Sequence, residues 1–229
     1  MKTIGILGGM SAASTQLYYK RLCDQTRGRL GGLHSPELLI RSLDFARIET
    51  LQATGDWQTA SALLNHEALA LKKGGAELLI LATNTMHELV AELTSGLTIP
   101  FLHIADATAG AIHAAGYKRP GLMATAYTME QGFYTGRLRD TGLKPVLPNP
   151  GDRAETHRII YDELCKDITT DHSRKTYVDI ASRLADQGVG CLILGCTVVG
   201  MLLSQSNSPL PVFDTTLIHC DQALDQALA

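Results

Sequence analysis

Short runs of Leu, Ile and Val bounded by Gly and Pro alternate along the chain with longer amphipathic stretches. A strand covered on both faces reads as a continuous apolar run, so this alternation predicts βαβ units and parallel sheets. The predicted strands occupy 3–7, 38–42, 78–81, 101–104, 121–125, 144–146, 191–194 and 212–213. Helices are predicted to begin near Ser14, Asp56, Met86, Asp106, Glu130, Glu155, Arg174 and Leu217. Gln52 follows a further helix start.

The chain also resembles itself. Residues 75–84 read GAELLILATN and 188–197 read GVGCLILGCT, sharing Gly, Leu, Ile and Leu in register at an offset of 113. Pro100-Phe101-Leu102-His103 matches Pro211-Val212-Phe213-Asp214 at an offset of 111. One Leu-Ile-Leu match arises by chance in any buried parallel strand. Two in the same order point to duplicated halves. The expected fold is therefore α/β, with two pseudo-symmetric Rossmann-like (flavodoxin-like) domains, parallel sheets and an interdomain cleft. The expected division is 1–98 plus 211–229 for the N-terminal domain and 99–210 for the second. Open α/β sheets bind ligands outside the carboxyl ends of their strands. Thr83-Asn84-Thr85 and Cys196-Thr197 both follow directly on a predicted strand, so they are expected to face one another across that cleft.

Composition narrows the partners. The 229 residues are 45% hydrophobic and 19% charged, a globular balance. Twenty Lys plus Arg stand against 23 Asp plus Glu without runs of either sign, so no basic stripe offers nucleic acid a binding surface. The apolar N-terminal stretch is too short and too Gly-rich for a signal sequence or a membrane span, which predicts a cytoplasmic protein without membrane association. The five cysteines form no CxxC pair, which argues against a disulfide framework and a zinc knuckle.

Among those cysteines, Cys23, Cys191 and Cys220 read as small buried hydrophobes. Cys196 lies between Gly195 and Thr197 and precedes a predicted helical segment at 198–203. A helix N-terminus favours thiolate, so Cys196 is a candidate base or nucleophile. Thr83 is its counterpart in the other half; its hydroxyl can donate or relay a proton, or cap the next helix together with Asn84 and Thr85. His87 has no carboxylate or Cys at a ligand spacing and reads as a capping or packing residue, and no metal is assigned. The glycine loop at 5–11 could offer N–H groups to a carboxylate. It departs from GxGxxG, and no GxxxxGK[ST] occurs, which disfavours NAD and nucleoside triphosphates.

These motifs together resemble a known family. IGILGGMS at 4–11, LATNTMH at 81–87, PFLHIADAT at 100–108, YTMEQGFY at 127–134, LGCT at 194–197 and PVFDTT at 211–216 are similar to the aspartate/glutamate racemase superfamily over nearly the whole chain. The resemblance implies two α/β domains enclosing an amino acid, a Cys from each on opposite faces of Cα, and neither pyridoxal phosphate nor a metal. It implies a homodimer. Three positions depart from the family pattern. Thr83 stands where LACNT has its Cys, Val198 where CTEIG has its Glu, and Cys165 where some relatives have a substrate-holding Lys. The Thr/Cys pairing resembles the branch acting on L-aspartate and L-glutamate, with homoserine and other amino acids also implied. In that branch Cys196 is the base facing the L-enantiomer and Thr83 supplies the proton that gives the D-product. Substrate contacts implied are the backbone near Met10, Gln52, Asn84 and Thr85, with Thr128 and Thr197 opposite. So unequal a pair implies faster L-to-D conversion than the reverse as measured from D-substrate, a kinetic asymmetry because enantiomers equilibrate near unity. Decarboxylation or isomerisation of a small dicarboxylic acid, using one thiol, is the alternative reaction. A non-catalytic amino-acid-binding protein is the alternative without chemistry.

Overall fold

The computed structural model describes all 229 residues, which divide into two compact units. The first comprises Met1–His103 and His219–Ala229, the second Ile104–Ile218.

In the first unit, β1 (Ile4–Gly8) is followed by α1 (Ala12–Leu30), β2 (Leu38–Ser42), α2 (Phe45–Thr54), α3 (Trp57–Lys73) and β3 (Leu78–Leu81). A 3₁₀ turn (Thr85–Leu89), α4 (Val90–Leu93) and β4 (Phe101–Leu102) complete it. The strand order is β2-β1-β3-β4 and every pair is parallel, with Ile4 opposite both Leu38 and Leu78 and Leu79 opposite Phe101. The central strands β1 and β3 are buried at every position, which is why they read as unbroken apolar runs. Leu7, Leu79 and Leu81 pack with Ile48, Leu64, Ala68 and Met86 in one core. The helices start on short polar side chains: Ser11 accepts from Ser14 N–H ahead of α1, and Asp56 from Thr59 N–H ahead of α3.

In the second unit, α5 (Ile104–Ala114) leads to β5 (Pro120–Met123), α6 (Ala126–Glu130), α7 (Phe133–Asp140), α8 (Pro150–Asp162) and a 3₁₀ turn (Leu164–Lys166). Next come α9 (Asp171–Asp186), β6 (Cys191–Leu194), a 3₁₀ turn (Val199–Met201), β7 (Val212–Asp214) and α10 (Thr215–Leu228), whose residues from His219 onward belong to the first unit. The parallel order is β5-β6-β7, and Val146 adds a single parallel bridge to Gly121 on the free side of β5. That order repeats β2-β1-β3-β4 with the bridge in place of β2, so the topology carries the internal repeat seen in the sequence.

Several expectations change. The strand expected at 144–146 shrinks to the Val146 bridge, and the helix near Glu130 becomes α6 and α7. The helix near Met86 is a 3₁₀ turn followed by one turn of α-helix, and 198–203 contains only a three-residue 3₁₀ turn. The boundary strands also move. β4 hydrogen-bonds to β3 and stays with the first unit, whereas β7 hydrogen-bonds to β6 and stays with the second, unlike the division at 98/99 and 210/211. A strand belongs to the ladder that satisfies its backbone, whatever its place in the chain order. No helix is long and apolar enough to cross a membrane.

Candidate active site

In the first unit the candidate residues gather past the carboxyl ends of the adjacent strands β1 and β3. The Gly8 carbonyl accepts from Leu43 N–H at 3.0 Å, tying the end of β1 to the residue after β2. Gly9 has φ +87° and a Cβ there would lie 2.1 Å from the Leu43 carbonyl oxygen, so only glycine fits. Its N–H donates to Thr15 Oγ1 at 2.7 Å, and that hydroxyl donates to the Ser11 carbonyl at 3.1 Å. The Gly9 donor is thus consumed inside the loop, which narrows the expected anion cradle to its remaining amides. The side chain of Met10 is buried in the unit's core.

Thr83, Asn84 and Thr85 are all buried. The ladder continues past β3, since Ala82 N–H donates to the Leu7 carbonyl at 2.9 Å. Ser14 Oγ donates to the Ala82 carbonyl at 2.9 Å. The expected cap is not made by Asn84, whose side chain holds no capping hydrogen bond to the turn that follows. His87 is the local organiser instead, with Nδ1 2.7 Å from the Thr83 carbonyl oxygen. Gln52 is buried on α2, and its Nε2 lies 2.8 Å from Sδ of Met86, the residue after Thr85.

In the second unit the strands β5 and β6 end side by side, with Met123 opposite Leu194. Gly195 N–H donates to the Met123 carbonyl at 2.8 Å, and a Cβ at Gly195 would meet Leu122 Cδ1 at 2.5 Å and Ala124 Cβ at 3.0 Å. The glycine therefore lets the chain pass tightly against the end of β5 on its way to Cys196. Thr215 Oγ1 donates to the Leu194 carbonyl at 2.8 Å and Thr216 Oγ1 to the Thr197 carbonyl at 3.1 Å, holding the Cys196 segment from its far side. Thr125 caps α6, accepting from Thr128 N–H at 3.2 Å, and the two threonine hydroxyls lie 3.1 Å apart.

The Cys196 thiol differs from the sequence expectation. Burial pushes it up from 9.0 to about 12, the neighbouring Cys165 thiol and the Asp214 carboxylate push the same way, and the Val198 and Thr197 amides that hydrogen-bond the sulfur oppose them. The residue is half-buried and keeps some exposed surface. The expected helix dipole is missing because Val199–Met201 makes only one 3₁₀ turn. Two backbone donors remain from that idea, and they do not offset desolvation. The Asp214 carboxylate itself caps α10, accepting from Thr216 N–H at 2.8 Å and Leu217 N–H at 3.2 Å.

Each unit thus presents one polar side chain directly after its central buried strand: a hydroxyl at Thr83 and a thiol at Cys196. Comparison with known proteins identifies the class to which this arrangement belongs. The profile of the Asp/Glu/Hydantoin racemase family matches residues 7–223. The crystal structure of a putative Asp/Glu racemase from Yersinia pestis is 46% identical, with a TM-score of 0.92 and complete coverage of both chains. That of an aspartate racemase homologue from Pyrococcus horikoshii OT3 is 32% identical, with a TM-score of 0.87 and complete coverage of both. The broad specificity amino-acid racemase RacX of Bacillus subtilis (strain 168) is 23% identical over 99% of this chain and 98% of its own. The protein is an isomerase of the racemase class. It belongs to the Asp/Glu/Hydantoin racemase family.

The sequence offered Ser14 only as a helix start and His87 only as a packing or capping residue, yet both hold the backbone around Thr83. Ser14 carried no signal beyond its place in the first turn of α1. It also left α2 without bounds, although Asp44 and Gly55 bracket it as cap residues.

Proposed function

We propose that this protein is a cofactor-independent amino-acid racemase acting on L-aspartate, L-glutamate or a related small amino acid. Cys196 as thiolate removes the Cα proton of the L-enantiomer. The electron pair left on Cα is spread into the carboxylate, and the Thr83 hydroxyl, directly or through water, returns a proton on the opposite face. The observation that carries this reading is the thiol of Cys196, hydrogen-bonded by the Thr197 and Val198 amides, with Thr83 at the matching place in the repeat.

The raised thiol explains how substrate takes part. In the free protein burial keeps the proton on Cys196. An amino acid brings its own α-ammonium, and a positive charge beside a desolvated sulfur favours thiolate. Met10, Gln52, Asn84, Thr85, Thr128 and Thr197 supply the donors that would hold the carboxylates as carbanion charge develops. Cys165 leaves the second unit without the cation of some relatives. That favours small amino acids beyond the dicarboxylates, in keeping with the broad specificity in the name of the Bacillus relative.

Enantiomers have equal free energies, so both directions share one barrier from free substrate and must have the same kcat/KM. The asymmetry of a Thr/Cys pair is confined to kcat and KM taken separately and to solvent exchange. Incubation with L-aspartate, L-glutamate and L-homoserine in heavy water, followed by chiral separation and mass spectrometry, tests the reading. The expected result is a D-enantiomer carrying deuterium at Cα. Carbon dioxide release would instead make the protein a decarboxylase, and binding without exchange would make it a binding protein.

A further inference from the structure

Three buried histidines, His87, His103 and His219, lie within the first unit beside the Thr83 segment. We infer that His87 is a positioning residue for Thr83, its ring holding the Thr83 carbonyl so that the hydroxyl delivers its proton along a fixed line. The inference rests on the racemase reading above.

The hydrogen bonds assign the roles. Thr83 O can only accept, so His87 Nδ1, 2.7 Å away, carries the proton and donates. In an α-helical turn the backbone N–H of His87 would serve that carbonyl; here it donates to Asn84 O at 3.1 Å instead. The imidazole supplies the donor that the 3₁₀ turn withholds. On the other side of Thr83, the Ala82 peptide is fixed at both ends, by Leu7 O and by Ser14 Oγ. Thr83 therefore sits between two anchored peptides, and the His87 ring is the anchor that follows it.

The ring is itself held. It packs against His103 with centroids 4.5 Å apart and against Phe101 at 5.7 Å, with His219 at 6.1 Å. His219 has a single consistent tautomer when neutral. Its Nε2–H donates to Leu102 O at 3.0 Å and its Nδ1 accepts from the Tyr18 hydroxyl at 2.8 Å. Burial, then the neighbouring His103 and His219, keep His87 well below its usual range, so the ring stays neutral with its proton on the donating nitrogen. A neutral ring suits a fixed donor and not a proton shuttle.

The test separates the two faces of the reaction. Deuterium wash-in at Cα from the L-enantiomer reports Cys196, and wash-in from the D-enantiomer reports Thr83. His87→Leu removes the donor, and His87→Asn keeps an amide N–H near the place of Nδ1. A misdirected proton donor should slow wash-in from D-substrate and the turnover number for racemisation by roughly 10–100-fold in His87→Leu, with L-substrate wash-in unchanged. His87→Asn should recover most of the loss. The unchanged L-wash-in also shows that the Leu variant is folded. A parallel fall of both rates would mean a merely structural histidine and would overturn the inference. So would an unaffected D-rate, or an Asn variant no better than Leu. Wild-type protein that exchanges neither enantiomer would overturn the racemase reading itself, and this inference with it.

Discussion

The thiol of Cys196 gives the sharpest quantitative expectation. Its rise from 9.0 to about 12 means that, at any pH well below 9, the free protein holds roughly 1000-fold less thiolate than an exposed cysteine would. In free energy that is at most about 4 kcal/mol against the charged form, an upper bound because the residue retains some exposed surface. Alkylation by iodoacetamide consumes thiolate, so the rate at Cys196, followed by mass spectrometry of its peptide, reads this fraction directly. The expected log rate climbs with unit slope from neutral pH through pH 10 without levelling. Stability carries the same signature. A thiol whose folded pKa exceeds its unfolded value keeps full stability below about pH 9. It loses roughly 1.4 kcal/mol per pH unit as pH rises toward 12, because the unfolded chain gives up the proton first. Cys191, raised by burial to about 11, adds a second loss of the same sign, so the difference between wild type and Cys196→Ser isolates the one thiol. A reactivity plateau at or below pH 9, or identical alkaline melting of the two proteins, would refute the argument.

At the acid end the sign reverses. Burial lowers His219 from 6.5 to about 4, so its contribution is complete above pH 6.5 and fades as pH falls toward 4, and chemical unfolding of His219→Phe should show a shallower acid slope than wild type. Gly195→Ala drives a methyl to within 2.5 Å of Leu122 Cδ1 and should cost about 1–3 kcal/mol. Gly9→Ala meets the rigid Leu43 backbone and a positive φ together and should cost more; denaturant titration of both variants against wild type checks the order.

The strands were legible because buried parallel strands leave continuous apolar runs. Leu78–Leu81 and Cys191–Leu194, buried at every position, fall at their expected bounds, and so does the more exposed edge strand Leu38–Ser42. The repeat was legible for the same reason, and it puts Thr83 and Cys196 at matching positions of the two halves. Two things were not. The nature of the segment after Cys196 depends on how tightly one turn closes, which periodicity over six residues does not resolve. The direction of the thiol shift depends on what surrounds the sulfur, and no local pattern encodes its burial or the electrostatic influence of Cys165 and Asp214 from distant points of the chain. The domain boundaries were misplaced because chain order was followed at β4 and β7, where backbone pairing decides.

In the proposed mechanism Thr83 and Cys196 would act on one Cα from opposite sides, and wash-in of solvent deuterium into pure L- and pure D-substrate tests that proposal most directly. The account predicts fast wash-in from the L-enantiomer and slow wash-in from the D-enantiomer in wild type. It predicts continued L-wash-in without inversion in Thr83→Ala, and neither process in Cys196→Ser. Equal exchange from both enantiomers, or inversion that survives in Thr83→Ala, would contradict it.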